Sequence, residues 1–380
     1  MKLVMTMMVR DEADIIGAVL DYHLAQGVDT IIVTDNSSID GTTEILEQYA
    51  SDGRIDLRHD PVQRKQQSPV VTQMARDAYT IHGADWVLNA DADEFWSCTG
   101  SDITLAEAFA QIPKSIASFS VPVTDMTGPP ASDGTGLQRL VYQDHRTLES
   151  LHKVGLLAHS THDAAHIGAD DVNVVQGNHY VSIGSQGAPE PEFEIGVRHY
   201  PWRSWTQFSN KVRNAGTAYE SQTILTPSPN HHGMRDYRRL NEGTLRGSYV
   251  LRHPSSEEIE AGLLSGEFVL DEQIARAASS PTPDVPLDAE IEHVERILGG
   301  VVEAREALRI ECELREAAAA ERINVVEAEK AELRALLLTR DATINSQAQR
   351  IHALEVFATQ LRNRRVVRAA DAVARRLHGR

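Results

Sequence analysis

Cysteine is nearly absent from this chain of 380 residues, which holds only Cys98 and Cys312. Two cysteines so far apart in sequence cannot make a disulfide framework, so a reducing compartment is the expected setting. Basic side chains are also short in number. Lys and Arg total 37 against 55 Asp and Glu, for a net charge of −18, and that deficit excludes general nucleic-acid binding, which needs a basic footprint. Long apolar runs are missing as well, since no stretch approaches the roughly 20 residues needed to cross a bilayer. The opening run "KLVMTMMV" is short, gives way at once to Arg10, Asp11 and Glu12, and is followed by no small-residue cleavage site. It reads as a buried first strand rather than a leader, and the expected location is cytoplasmic.

What is present begins with an alternation of two periods over the first 125 residues. "KLVMTMMV", "TIIVTDN", "IDLRHD" and "DWVLNAD" read as strands. Between them Ile15, Ile16, Val19, Leu20 and Leu24 recur at helical spacing, and "GTTEILEQYA" and "SPVVTQMARDAYTIHG" read as helices. Such alternation predicts an α/β fold with a mostly parallel sheet and helices on both faces. Ligands bind such sheets outside the carboxyl ends of the strands. "TDN" (34–36) and "DAD" (91–93) fall at two of those ends.

From about 126 to 250 the pattern is irregular, and "TGPPASDGTG" (127–136) reads as a mobile loop. Residues 251–286 read as a helical extension closed by the Pro-rich linker "SSPTPDVP", which is expected to end the globular part. Residues 287–361 carry apolar positions in steps of seven from Ile291 through Leu298, Val326, Leu333, Leu354 and Leu361. A companion column moves from Val294, Val301 and Leu308 to Ile323, Leu337, Ile344 and Ile351. This predicts a long C-terminal coiled-coil helix, with the columns shifting near 315–323, and a homo-oligomer built through it. Arg305, Arg340 and Gln347 weaken the stripe, and a long helix packed on its own domain is the competing reading. The last twenty residues hold seven Arg and one Asp. Residues 362–380 therefore read either as a basic amphipathic helix on anionic lipid at the inner membrane face or as a solvated tail.

The stretch "NADADEFW" (89–96) concentrates Asp91, Asp93 and Glu94 after an apolar strand. If the strand period continues, Asn89, Asp91 and Asp93 point to one side. Two carboxylates about 4–5 Å apart repel by roughly 3–4 kcal/mol at an effective dielectric of 20. Solvation in a loop, a shared proton or a bound cation can relieve that repulsion, and the placement at a strand end favours a functional reading.

"MVRDEADII", "TDNSSIDGT", "DWVLNADADEFW", "GNHYV" and "RHYPWRSWTQFSNKVRNAG", in this order, resemble family 2 type glycosyltransferases of GT-A fold, in the branch whose metal motif reads Asp-x-Asp-Glu-Phe. The resemblance covers residues 1–250 and does not reach the coiled coil. It implies that Asp91 and Asp93 hold Mn²⁺ or Mg²⁺ against the diphosphate of a nucleotide-sugar donor, with UDP the favoured nucleotide. It also implies Asp35 as the base or ribose contact, and Arg10 and Glu12 beside the donor, although Asp11 stands where the family usually has Asn. Lys153, Arg203 and Lys211 match basic positions expected on the diphosphate. Glu94 either orients the donor sugar or pairs with a nearby cation. Asp40 is better explained as a helix cap before Gly41 and Thr42.

His152, His159, His162, His166 and His179 crowd into 28 residues, but the spacing is wrong for a zinc finger and no cysteines accompany them. His179 and His199 are singled out because they lie in family stretches. His199 is either a third metal ligand or a packed histidine, and His179 is a sugar or acceptor candidate. Trp202 either stacks on a sugar or packs in the core, as does Trp205. No base is assigned, since Asp125, Asp163, Asp170 and Asp171 are equal on spacing alone. The implied activity is metal-dependent, inverting transfer of a sugar to a glycan, lipid or protein acceptor in cell-surface or exported polysaccharide synthesis. The alternative is a non-catalytic assembly or membrane-tethering protein with a degenerate transferase domain.

Overall fold

The early apolar runs become strands β1 (Leu3–Val9), β2 (Thr30–Asp35), β3 (Ile55–His59) and β4 (Trp86–Ala90), separated by helices α1 (Ile16–Ala25), α2 (Thr42–Ser51) and α3 (Gln67–Thr80). The four strands are parallel, in the order β3-β2-β1-β4, so their carboxyl ends share one rim. β1 and β4 are buried almost throughout, which is why they read as continuous apolar runs rather than alternating ones. In this computed structural model residues 1–62, 67–220 and 232–379 are described. They form two compact units, Met1–Arg305 and Glu306–Arg380.

The strand period ends at Ala90, one residue before the acidic cluster. Asn89 turns into the core, where its Oδ1 accepts the Thr6 hydroxyl at 2.8 Å. Asp91 to Asp93 form a tight turn closed by the Glu94 N–H donating to the Asp91 carbonyl at 3.3 Å. The expectation that Asn89 and the two aspartates share one face is therefore corrected, because the chain reverses before the alternation reaches Asp91. The turn leads into β5 (Glu94–Cys98), followed by α4 (Leu105–Gln111), which starts on a Thr104–Glu107 capping box.

Where an irregular pattern is expected from 126 on, the stretch from 118 to 199 carries regular elements. It holds β6 (Ser118–Val121), β7 (Val123–Thr127), β8 (Ala131–Asp133), β9 (Tyr142–Asp144), α5 (Leu148–Lys153), β10 (Asp163–Ile167) and β11 (Ile195–His199). β10 and β6 extend the first sheet antiparallel, beyond β4. These strands are too short for a period to show, and their partners lie far away in sequence. Helices α6 (Trp205–Glu220), α7 (His232–Asn241), α8 (Leu245–Arg252) and α9 (Ser256–Ser265) follow, then β12 (Phe268–Leu270) and α10 (Gln273–Ala277). The second sheet runs β12-β9-β7-β11-β5.

Two expectations about loops are overturned. "TGPPASDGTG" is not mobile: Ala131 and Thr135 are fully buried, and the Ala131 N–H donates to the Tyr249 hydroxyl, which donates to the Ala131 carbonyl in return. Nor is the Pro-rich stretch a free linker. Its strand β13 (Val285–Pro286) pairs with β8, and Asp284 Oδ1 accepts the Gly136 N–H at 2.9 Å. The compact unit then continues through the start of α11 (Ala289–Asn363) to Arg305. There Glu295 pairs with Arg246 at 2.7 Å and Glu303 with Arg239 at 2.8 Å. A Cβ on Gly299 would sit 2.3 Å from the Gly247 carbonyl oxygen, so the close crossing of α11 over α8 depends on that glycine.

In the second unit the helix continues with its side chains turned outward. Leu333, Leu337, Ile344, Ile351 and Leu354 are each more than half exposed. A separate helix, α12 (Arg365–Leu377), closes the described chain. Among the described residues, no helix is long and apolar enough to cross a membrane.

Candidate functional site

β5 and β11 bring the site together. Their antiparallel register places His199 opposite Glu94, and β11 pairs with β7 so that His199 also lies beside Asp125. His199 Nδ1 sits 2.8 Å from Asp125 Oδ1, and its Nε2 3.6 Å from Asp93 Oδ2. Burial opposes charge on the ring, yet Asp93 and Asp125 outweigh it and hold the imidazole protonated well above the ordinary histidine value. Asp125 also takes the Ser160 hydroxyl at 2.7 Å.

Asp93, 2% exposed, is the centre of a cationic cage. Lys211 on α6 reaches its Oδ2 at 2.5 Å, and Arg203 lies 3.6 Å away. Burial works against its charge, but Lys211, His199 and Arg203 keep Asp93 ionised well below the ordinary carboxylate range. Asp91 makes no ion pair among the described residues, although Lys211 and His199 also favour its charge. It accepts neutral amides from Gln67 at 2.7 Å and Asn178 at 2.9 Å, and burial with the neighbouring Asp93 charge raises its pKa. Of the remedies for carboxylate repulsion, Asp93 uses direct pairs with the protein's own cations, and Asp91 is held by neutral amides.

Glu94 accepts the Asp91 N–H at 2.9 Å. Burial, Asp163 and Asp91 together push it well above the usual carboxylate range. Asp163 is likewise raised, to about 7, first by burial and then by Asp91. One of its oxygens is 3.2 Å from His179 Nδ1, and the other is buried with no hydrogen-bond partner among the described residues. Two neighbouring carboxyls that resist ionisation are suited to holding a proton between them.

Two cavities open on this cluster. One, of about 530 Å³, is lined by Arg10, Glu12, Asn36, Asp91, Asp93 and Lys211. The other, of about 540 Å³, is lined by Glu94, Asp125, His179, His199, Trp202 and again Asp91 and Lys211. Most of the residues singled out from the sequence thus meet around one turn.

Three others do not reach the cavity walls. Arg203 is completely buried, donating to both Asp14 oxygens at 2.7 and 2.9 Å and bonding Glu12. Its position behind the wall makes it a brace for Glu12 and Asp93. Asp35 is buried, and its oxygens take the Ser38 hydroxyl and the Thr43 hydroxyl, each at 2.6 Å. Lys153 is exposed on α5, paired with Glu149 at 2.9 Å. Asp40 accepts the Thr42 N–H at 3.0 Å, but the cap position of α2 is Gly41 in a left-handed conformation, so the expected cap lies one residue further on. Trp205 lies against Tyr249, whereas Trp202 lines the second cavity with Arg252 over its ring. Asp170 and Asp171 are exposed away from both cavities.

Sequence reasoning missed Gln67, Asn36, Asn178 and Ser160. Asn178 stands in "GNHYV" with a positive φ of 62°, and that Gly-Asn pair was the available signal. The others are ordinary polar residues brought in by tertiary contacts. Among the described residues, no three His, Cys, Asp or Glu side chains already converge as a metal site. Asp91 and Asp93 fit a hard cation nonetheless, because both line one cavity and Asp91 makes no ion pair among the described residues.

Residues 6–159 match the family model for Glycosyl transferase family 2. That stretch is similar to a glycosyltransferase domain. No curated protein matches the sequence. Among solved structures, TarS of S. aureus is 13% identical, with a TM-score of 0.31 over 66% of this chain and 47% of that one, so the chain spans about half the length of that protein. Residues 1–349 of TarS in complex with UDP-GlcNAc give 14% identity and a TM-score of 0.32, over 67% of this chain and 82% of that one. Glucosyl-3-phosphoglycerate synthase from Mycobacterium tuberculosis, solved with Mn²⁺, UDP-glucose and phosphoglyceric acid, is 18% identical with a TM-score of 0.25, over 44% of this chain and 56% of that one. Overlaps this loose carry neither substrate nor metal across to this chain.

Proposed function

We propose that this chain moves a sugar from a nucleotide-sugar donor, with UDP the favoured nucleotide, to a glycan, lipid or protein acceptor with inversion. The observation that carries this reading is the meeting of two cavities at Asp91 and Lys211. The cavity at the ends of β1 and β2 suits the nucleotide and diphosphate, with Arg10 and Lys211 as the cations there. The cavity holding Glu94, His179 and Trp202 suits the transferred sugar and the acceptor.

Asp91 and Asp93 would hold Mn²⁺ or Mg²⁺, and His199 could join them only by giving up the Nε2 proton that faces Asp93, while Nδ1 stays on Asp125. A divalent ion bound there supplies positive charge against the departing diphosphate. Lys211 is placed to exchange Asp93 for a phosphate oxygen, and Arg203 stays behind as the fixed counter-charge. Glu94, coupled to Asp163, is the group placed to take the acceptor proton. The environment that raises Glu94 makes its ionised form a stronger base for a hydroxyl, and it takes the proton only in that form.

The test is UDP and UDP-sugar binding by calorimetry with and without Mn²⁺, alongside donor turnover. Asp91→Ala should lower turnover by about 10³-fold or more and abolish the Mn²⁺ dependence of nucleotide binding. If no nucleotide sugar binds and Asp91→Ala matches the parent, the reading is wrong.

The second unit suits oligomerisation through α11, and α12 suits an anionic membrane surface, with Val366, Val373 and Leu377 exposed beside Arg365, Arg368, Arg375 and Arg376. These features also fit the alternative of an assembly protein. A chain ending at Arg305 separates the two, since retained turnover supports an enzyme with an accessory stalk. Ending it at residue 286 would instead strip Glu295 and Glu303 from Arg246 and Arg239.

A further inference from the structure

We propose that residues 322–362 of α11 pair with the same segment of a second copy of this chain as a parallel, in-register, two-stranded coiled coil. The proposal rests on the oligomer reading above and adds strand number, direction and register.

The first observation is the seam itself. One column carries Ile323, Leu337, Ile344 and Ile351, and the other Val326, Leu333, Leu354 and Leu361. Most of these side chains are more than half exposed in the single chain, so the stripe has no cover within the described protein. Isoleucine fills three of the six positions of the first column and leucine three of the six of the second, a distribution that favours two parallel strands over three or four.

The second observation is the charge beside the seam. In a parallel in-register pair, the residue just before the first column meets, on the partner, the residue five places further along. Three such pairs are charged at both ends: Arg322 with Glu327, Glu329 with Arg334, and Arg350 with Glu355. All three are opposite in sign. The two residues of each pair are five apart on their own helix and do not face each other there, so the complementarity has meaning only between chains. An antiparallel pairing would match before-column residues with one another and would lose this fixed offset of five.

The third observation concerns Lys330, Arg340 and Gln347, which interrupt the seam. Polar residues at such positions cost stability but fix register: a one-heptad slip sets Lys330 against Leu337 or Ile323, and leaves Arg340 and Gln347 facing Leu333 and Leu354 where they do not meet each other.

The test uses the full chain. Light scattering on a size-exclusion column should give the mass of two chains at micromolar concentration. In a Cys312→Ser background, where the remaining Cys98 is buried, Leu354→Cys should form a covalent dimer under mild oxidation, since equivalent seam positions face each other only in a parallel register. Glu329→Arg should weaken the dimer about tenfold, and adding Arg334→Glu should restore it to within about twofold, with nucleotide binding unchanged throughout. A monomeric mass overturns self-association and with it the oligomer reading. A trimer overturns strand number. A dimer in which Leu354→Cys gives no cross-link and the charge swap gives no rescue overturns the parallel register alone and leaves the oligomer reading standing.

Discussion

Asp93 and Glu311 each meet a basic side chain at nearly the same distance, Lys211 at 2.5 Å in one case and Arg315 at 2.6 Å in the other. Asp93 is 2% exposed, whereas Glu311 is 54% exposed and its partner 76%. Water screens the helical pair and competes for both partners, so its contribution is small. In the buried cluster Asp93 and Arg203 cannot turn to solvent and depend on the charges around them, while Lys211, 44% exposed, meets Asp93 from the cavity side. Similar residue types thus make a site in residues 1–305 and a solvated surface in residues 306–380.

The sharpest way to break that comparison is Asp93→Ala. It would take from Lys211 its paired carboxylate, while Arg203 keeps Asp14 and Glu12 and His199 keeps Asp125, and is expected to cost about 3–5 kcal/mol of unfolding free energy in urea. A loss below about 1 kcal/mol would show that the cluster behaves like the exposed pairs.

Next is a buried base beside the second sheet. His23 is neutral, its Nδ1 2.8 Å from the Val19 carbonyl and its Nε2 accepting the Trp96 N–H at 3.1 Å, and burial lowers its pKa to about 4. The unfolded chain binds this proton near 6.5 and the folded chain only near 4. Stability is therefore present above about 6.5 and is lost as pH falls through that window, by about 3 kcal/mol. His23→Gln should flatten the pH dependence of urea unfolding between those values, and an unchanged slope would discount the effect.

Glu94→Gln comes third. If Glu94 takes the acceptor proton, turnover should fall about 100-fold while UDP affinity stays within about twofold. Equal losses in both would make Glu94 a donor-binding residue. The smallest effect belongs to the helix: Arg315→Ala should leave the melting temperature unchanged, since the pair it breaks is solvated on both sides.

Much of the fold was legible because β1 to β4 and α1 to α3 are local, repetitive and buried in a consistent sense. Asp91, Asp93, Lys211 and His199 were legible as types in a fixed order. The residues between 126 and 250 were not, because strands such as β8 and β9 are three residues long and are defined by partners, not by period. The same holds for "TGPPASDGTG" and "SSPTPDVP", whose turn composition is genuine although each lies against the other, Thr282 with Thr135 and Asp284 with Gly136.

By itself, then, the sequence determined the parallel sheet, the acidic turn at the end of β4 and the seven-residue columns of α11, since periodicity and local chemistry are written along the chain. Only the tertiary structure decided which charges would meet. Pairing β11 with β5 and β7 set His199 between Asp93 and Asp125, and burying Arg203 behind Glu12 turned an expected diphosphate contact into a brace. Charges act through space and through the water around them, and neither distance nor burial can be read from a spacing in sequence.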